Sequence, residues 1–175
     1  MSQLIDIDIR DVVLANGSFG PQEIRQMIGA ISNDNLQVTV LRDAVAELER
    51  VDDRTPASSA RLGVCQYLLG KYRDAIETLT RADGGALTHF YLGKAYVEID
   101  DFAQAVTSFE SAARAGYSGD ECSLAIADAQ RQSGDPETAI RTLDSLSGAI
   151  EQTAEYLYQR AATVAALNGN LEEIC

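Results

Sequence analysis

Three segments of the chain share one template of small, aromatic and glycine positions. They are ARLGVCQYLLGKYRDAIETLTRA at residues 60–82, HFYLGKAYVEIDDFAQAVTSFESAA at residues 89–113 and LAIADAQRQSGDPETAIRTLDSL at residues 124–146. One alanine of each copy, Ala75, Ala105 or Ala139, aligns with the others, and these alanines are 30 and 34 residues apart. A period of this size is typical of repeat architectures, in which each unit buries its apolar face against its neighbours.

Each copy contains two stretches with apolar residues at three- and four-residue spacing. Short breaks rich in glycine and aspartate separate the stretches, at residues 70–72, 100–102 and 134–136. In the third break, Asp135 is suited to cap the next helix and Pro136 to occupy its first position. The pattern therefore predicts antiparallel helix pairs.

One place in the first helix of each pair is always small. The residue there is Gly63, Gly93, Ala127 or Ala162. The second helix carries the alanine on which the copies align. We therefore expect the two backbones of a pair to pack closely, with little side chain between them.

This template resembles the tetratricopeptide repeat, which combines a Leu-Gly pair, an aromatic residue and later alanines. The second copy matches it most fully, at Leu92, Gly93, Tyr96, Phe102, Ala105, Phe109 and Ala112. The resemblance implies an all-α fold, a right-handed α-solenoid of antiparallel helix pairs. It implies three repeats, at about residues 56–85, 86–118 and 119–153, and a partial fourth at residues 154–175 with a turn at residues 169–171.

Upstream of the repeats, residues 21–31 and 36–51 have apolar residues at helical spacing. We expect these two helices, within residues 21–55, to pack on the first repeat. Residues 1–20 differ, because Ile5, Ile7 and Ile9 alternate with charged residues at a strand-like period of two. They are expected to form an extended or flexible arm, lying in a groove or pairing with another copy.

The composition restricts the partners. With 27 acidic and 14 basic residues the net charge is −13, which opposes binding to nucleic acid or to an anionic membrane surface. No apolar run is long enough to cross a membrane and no secretory signal is recognisable, so the expected location is cytoplasmic. The three cysteines are too widely spaced for a disulfide framework or a zinc site.

Catalytic residues are weakly indicated. His89 has no evident catalytic partner, and Cys65 is expected to be a buried, inert thiol. Asp6, Asp8 and Asp11 lack the glycine and the glutamate of a calcium-binding loop, so a solvated acidic face is the favoured interpretation. We therefore expect neither an enzyme nor a cofactor or metal site.

The resemblance instead implies binding in the concave groove lined by the first helices. The groove positions, carried over one at a time, are Tyr67, Leu68, Leu87, Phe90, Lys94, Val97, Glu98, Leu124, Asp128, Arg131, Gln132, Tyr156, Gln159 and Thr163. Such a face suits a peptide segment of a partner protein, with Lys94 or Arg131 meeting an acidic group.

Three functions stay open at this point. The leading hypothesis is a non-enzymatic scaffold for protein–protein interaction. The chain is also similar in size and layout to bacterial secretion chaperones that hold translocator clients. It could also be the regulatory or oligomerisation module of a larger enzyme, and self-association through the N-terminal arm or an open solenoid end is a further possibility.

Overall fold

The computed structural model describes residues 7–172 of the chain, in which the regular elements are helices and no strand occurs. The helices are α1 (Ile9–Leu14), α2 (Pro21–Asn33), α3 (Asn35–Glu49), α4 (Pro56–Leu68), α5 (Tyr72–Thr80), α6 (Ala86–Val97), α7 (Phe102–Arg114), α8 (Gly119–Gln132), α9 (Pro136–Asp144) and α10 (Ala154–Glu172). A short 3-10 helix, Gly148–Gln152, precedes α10. The chain divides into two compact units, Met1–Tyr91 and Leu92–Cys175.

The first unit has its core where the N-terminal helices meet α4. Helix α1 contacts α3 and α4, α2 and α4 contact α3, and α4 pairs with α5. The buried side chains of this core are Ile9, Val13, Met27, Leu41, Ala44, Val45, Leu48, Leu62 and Cys65. A polar contact supports the same junction, since the Glu49 carboxylate accepts hydrogen bonds from Gln66 Nε2 at 3.1 Å and Lys71 Nζ at 3.3 Å.

The expectation of an extended arm is wrong for residues 9–14, which form α1. The Asp8 side chain caps this helix by accepting a hydrogen bond from the Asp11 backbone N–H at 3.0 Å. Ile9 and Val13, four residues apart, are each 1 % exposed, because they lie on one helical face that packs into the core. Ile5 and Asp6 lie outside the described residues.

The two helices expected after the arm are α2 and α3, and the connection between them is shorter than the sequence suggests. Only Asp34 separates α2 from α3. Its side chain caps α3 by accepting a hydrogen bond from the Leu36 backbone N–H at 2.8 Å. The polar residues 32, 33 and 35, which resemble a loop in the sequence, are therefore helical.

In the second unit, α8 contacts α7 and α9, and α10 contacts both α8 and α9. The buried residues where α8, α9 and α10 meet are Leu124, Ala127, Ala139, Leu143, Leu146 and Tyr156. The alignment alanines Ala75, Ala105 and Ala139 are all 0 % exposed. The close approach of paired helices is confirmed, since Gly63 lies against Leu79 and Gly93 against Phe109.

The breaks within the helix pairs are tight helix ends of one type. Gly70, Asp100 and Gly134 occupy equivalent places and have φ angles of 74°, 61° and 87°. At each of them two backbone hydrogen bonds reach back into the helix, as from Lys71 N to Gln66 O and from Gly70 N to Tyr67 O, both 2.9 Å long. The predicted cap is confirmed, because Asp135 accepts a hydrogen bond from the Thr138 N–H at 3.0 Å and Pro136 begins α9.

The expected turn at residues 169–171 is absent, because α10 continues to Glu172. A glycine inside a helix costs only about 1 kcal/mol relative to alanine, and the alanine-rich stretch before Gly169 favours a continuous helix. The 3-10 helix Gly148–Gln152 was not expected from the sequence.

Candidate partner-binding surface

Helix α6 is apolar on nearly all sides, and its faces differ in burial. Thr88, Tyr91 and Ala95 are 2 %, 7 % and 0 % exposed. The adjacent face carries Leu87, Phe90, Lys94 and Val97, all half-buried, and Glu98, which is exposed just beyond the helix. We call the face formed by Leu87, Phe90, Lys94 and Val97 the α6 face. Leu87, Phe90, Lys94, Val97 and Glu98 were all predicted as groove residues, and they follow one another at helical spacing.

An aromatic cluster in the first unit includes Phe90. The ring of Tyr67 on α4 meets Tyr91 edge-on at a centroid distance of 5.4 Å and Tyr72 at 5.7 Å. Phe90 also meets Tyr91 edge-on at 5.8 Å. Tyr67 and Phe90 were predicted as groove residues, whereas Tyr91, which contacts both, was missed. The Tyr91 ring therefore supports Tyr67 and Phe90 in fixed orientations.

Helix α8 contributes a closed ion pair. Arg131 pairs with Asp128, one turn earlier on the helix, and both side chains are about three-quarters buried. Gln132 Nε2 donates a second hydrogen bond to Asp128, at 2.7 Å. Because Asp128 already neutralises Arg131, this arginine is less suited to an acidic partner than the sequence suggested.

Four predicted groove residues are core residues. Leu124 and Tyr156 are 6 % and 5 % exposed and pack together with Leu143. Gln159 and Thr163 follow Tyr156 on the same side of α10 and are also buried. The groove assignment is wrong for these four residues, because α10 turns this face towards α8 and α9. In the first unit, half-buried Leu68 packs against the N-terminal core.

The exposed face of α10 was missed. Leu157, Tyr158 and Val164 are 56 %, 63 % and 42 % exposed, although all three are large and apolar or aromatic. A shallow depression of about 480 Å³ runs along this helix, lined by Leu157, Arg160, Ala161, Val164, Ala165 and Asn168. Arg160 is paired with Asp144 of α9. Exposed apolar surface of this kind is typical of interaction sites.

The described residues supply little for catalysis. Cys65 is buried, and desolvation raises the pKa of its thiol to about 12, so the thiol is protonated at neutral pH. His89 is half-buried at the start of α6. Within residues 7–172 no group of three or more histidine, cysteine or acidic side chains is placed to hold a metal ion. Among the described helices, none has the length and apolarity needed to span a membrane.

The comparisons with known proteins agree with the repeat pattern. Residues 61–82 match the family model of the tetratricopeptide repeat. No curated protein matches the sequence. A crystal structure of MamA protein is similar, with 16 % identity, a TM-score of 0.55 and coverage of 82 % of this chain and 84 % of that one. A second MamA structure has 15 % identity, a TM-score of 0.50 and coverage of 86 % and 90 %.

At these identities the solved structures establish the fold alone. The fold is that of an α-solenoid built from helix pairs. The residues matched by the family model include Gly63 and Ala75, on which the repeat alignment depends. The chain therefore contains a tetratricopeptide repeat at residues 61–82, within a fold built from helix pairs.

Proposed function

We propose that the chain binds a segment of a partner protein on the α6 face. The observation that carries this proposal is the uneven burial of α6. An all-round apolar helix is normally covered on every side, yet Leu87, Phe90 and Val97 are only half-buried. A partner segment with apolar side chains would complete the cover.

The neighbouring side chains favour a preformed site. Phe90 is held edge-on by Tyr91, which also holds Tyr67, so binding requires little reordering of these rings. Rigid aromatic groups of this kind contribute much of the affinity in protein interfaces. Lys94, on the same face, favours a ligand with an acidic group next to its apolar anchors.

The proposed partner is a protein and not a nucleic acid. A net charge of −13 repels phosphate backbones. The proposal concerns binding alone, with no chemical step and no cofactor. The roles of secretion chaperone and of regulatory module are narrower versions of it that depend on which partner is bound.

The test is capture of partners from a lysate of the source organism with the parent chain and with a Phe90→Ala, Lys94→Glu variant. A matched control is Gln104→Ala, an exposed residue on α7. A partner retained by the parent and the control but lost by the double variant supports the α6 face, provided that circular dichroism shows the variant to be helical. Equal capture by all three proteins would contradict it.

Once a partner is in hand, its affinity measures the anchor directly. Phe90→Ala is expected to weaken binding by more than about 1 kcal/mol, which is the usual threshold for an energetically important interface residue. Titration calorimetry measures this loss. An unchanged dissociation constant would place the binding surface elsewhere.

A second candidate function is self-association, which the exposed face of α10 favours. Leu157 and Val164 lie seven residues apart, so they share one side of the helix. A symmetric dimer would bury this side in both copies. The substitution Leu157→Glu should then shift the sedimentation coefficient of the chain to that of a monomer, whereas a parent chain that is monomeric at high concentration would exclude this function.

A further inference from the structure

A second cavity lies in the first unit, where the segment after α1 meets the beginnings of α4 and α6. Its volume is about 280 Å³. Gly17 and Phe19 line it from the segment after α1, Ala57 and Arg61 from α4, and Asp83 and Leu87 from the segment that enters α6. The sequence pattern gives no sign of this cavity, because Arg61 lies in a run of core residues.

Arg61 is a buried cation whose guanidinium is only partly satisfied. Arg61 is 9 % exposed. Nη2 donates a hydrogen bond to the Gly17 carbonyl at 2.7 Å, and the guanidinium carbon lies 5.2 Å from the centre of the Phe19 ring. Nε is buried and has no hydrogen-bond partner among the described residues. Buried charges in proteins are normally paired with an opposite charge.

The nearby groups do not supply that charge. Cys65 lies one helical turn further along α4, and desolvation raises its pKa to about 12, so its thiol stays neutral. Asp83 lines the same cavity, and its Oδ1 atom accepts hydrogen bonds from Gly85 N at 2.9 Å and Thr88 Oγ1 at 2.6 Å, but it forms no ion pair with Arg61. No described acidic side chain forms an ion pair with Arg61, whose one oxygen acceptor is the Gly17 carbonyl.

We propose that this cavity binds a carboxylate group on the guanidinium of Arg61. The guanidinium edge and a carboxylate match in shape and charge, which allows two parallel hydrogen bonds. Phe19, Ala57 and Leu87 provide apolar walls for a short aliphatic arm behind the carboxylate. A doubly charged phosphate suits the cavity less well, because the Asp83 carboxylate also lines it.

Two sources could present this carboxylate: a free small carboxylic acid, or the acidic side chain of a peptide. The chemistry at Arg61 is the same in both. The probes that separate them are sodium acetate and free glutamate on one side, and the capped peptide Ac-Gly-Glu-Gly-NH2 on the other. The capped glutamine peptide Ac-Gly-Gln-Gly-NH2 is the uncharged match. These probes are too small to test the α6 face, so this proposal succeeds or fails independently of the proposed function.

The measurement is the Nε–Hε cross-peak of Arg61 in an NMR spectrum of the full chain, recorded at constant ionic strength against sodium chloride. Acetate is expected to shift this cross-peak saturably and to leave that of exposed Arg25 in place. A cross-peak that does not move, or that moves no more than that of Arg25, would overturn the proposal. A saturable shift with the glutamate peptide but not with the free acids identifies a peptide side chain as the source. A saturable shift with the free acids but not with the peptide identifies a small carboxylic acid.

Two variants complete the test. Acetate is expected to raise the melting temperature of the parent, and Arg61→Met, which removes the guanidinium, should abolish this rise. The second variant, Ala57→Leu, is needed because Arg61→Met could fail to fold. Ala57 is an exposed residue that lines the cavity, so a leucine side chain at this position fills the cavity and leaves Arg61 in place. Ala57→Leu should abolish the acetate-dependent shift of the Arg61 cross-peak, and an undiminished shift would place the anion outside the cavity.

Discussion

Gly93 on α6 lies so close to Phe109 on α7 that a Cβ atom on Gly93 would come within 2.7 Å of the ring carbons Cδ1 and Cε1. Gly63 and Leu79 form the same contact in the preceding repeat, where a Cβ atom would lie 2.5 Å from Leu79 Cγ. Each glycine thus lets a large side chain of the second helix rest on the backbone of the first. The repeat depends on this contact for its close helix packing.

Substituting Gly93 with alanine is therefore expected to destabilise the chain. Overpacking against the buried Phe109 ring should lower the free energy of unfolding by about 1–3 kcal/mol. Gly29→Ala on α2 is the matched control, since nothing lies within 4 Å of the added Cβ atom there. Urea denaturation of the three proteins measures the difference, and equal midpoints for Gly93→Ala and the parent would refute the assigned packing.

Asp100 occupies the place at which the other two repeats have glycine. Its φ angle of 61° lies in the left-handed region, where a side chain is strained. Asp100→Gly should therefore raise the free energy of unfolding by about 1 kcal/mol. At the equivalent turn of the third repeat, Gly134→Ala should lower the free energy of unfolding by a similar amount. Thermal melts of both variants measure the effect. A stabilised Gly134→Ala variant would contradict this account of the turn.

Acid should weaken the cap of α9. Two hydrogen bonds to the Asp135 carboxylate lower its pKa in the folded state. The larger contribution comes from the Thr138 hydroxyl and the smaller from the Thr138 backbone N–H. A carboxyl whose pKa is lower when folded stabilises the protein above its unfolded pKa, and this stabilisation is lost as the pH falls through the folded pKa. Asp135→Asn should therefore lose less stability between neutral and acidic pH than the parent.

Urea midpoints measured across that pH range provide the comparison for Asp135. Thr80→Ala, on an exposed residue of α5, is a control that should follow the pH dependence of the parent. An Asp135→Asn variant with the same pH dependence as the parent would show that the carboxylate is not ionised preferentially in the folded state.

The buried cysteines should be unreactive in the native chain. Desolvation raises the pKa of Cys65 to about 12 and that of Cys122 to about 11, so few thiolates exist at neutral pH. In a Cys175→Ser background, iodoacetamide should label both thiols slowly until the chain is unfolded in guanidinium. Rapid labelling of either thiol in the native protein would contradict its burial.

The helix pairs were predictable because the residues that determine them lie close together in the sequence and recur in each repeat. Glycine or alanine recurs where backbones meet, as at Gly63 and Gly93, and turn residues recur where helices end. The sequence of α1 was harder to interpret, since the alternation of three isoleucines masks the four-residue spacing of Ile9 and Val13. The cap formed by Asp8 on the Asp11 N–H was the available signal.

The binding surface was only partly predictable, because groove and core positions differ by one or two places on a helix. On α10, Tyr156 is buried whereas its neighbour Leu157 is exposed, and both are large and apolar. The packing of α10 on α8 and α9 decides between them. The cavity at Arg61 was beyond prediction, because it depends on a hydrogen bond to Gly17, 44 residues earlier in the chain.

The most direct test of the central claim is site-specific photo-crosslinking on α6. A benzophenone amino acid at Val97, on the α6 face, should crosslink one defined segment of a partner protein, whose sequence mass spectrometry then identifies. The same group at exposed Gln104 on α7 should not crosslink that segment. Crosslinking of one segment from Val97 alone is the predicted result, and equal crosslinking from both positions, or from Gln104 alone, would contradict the account.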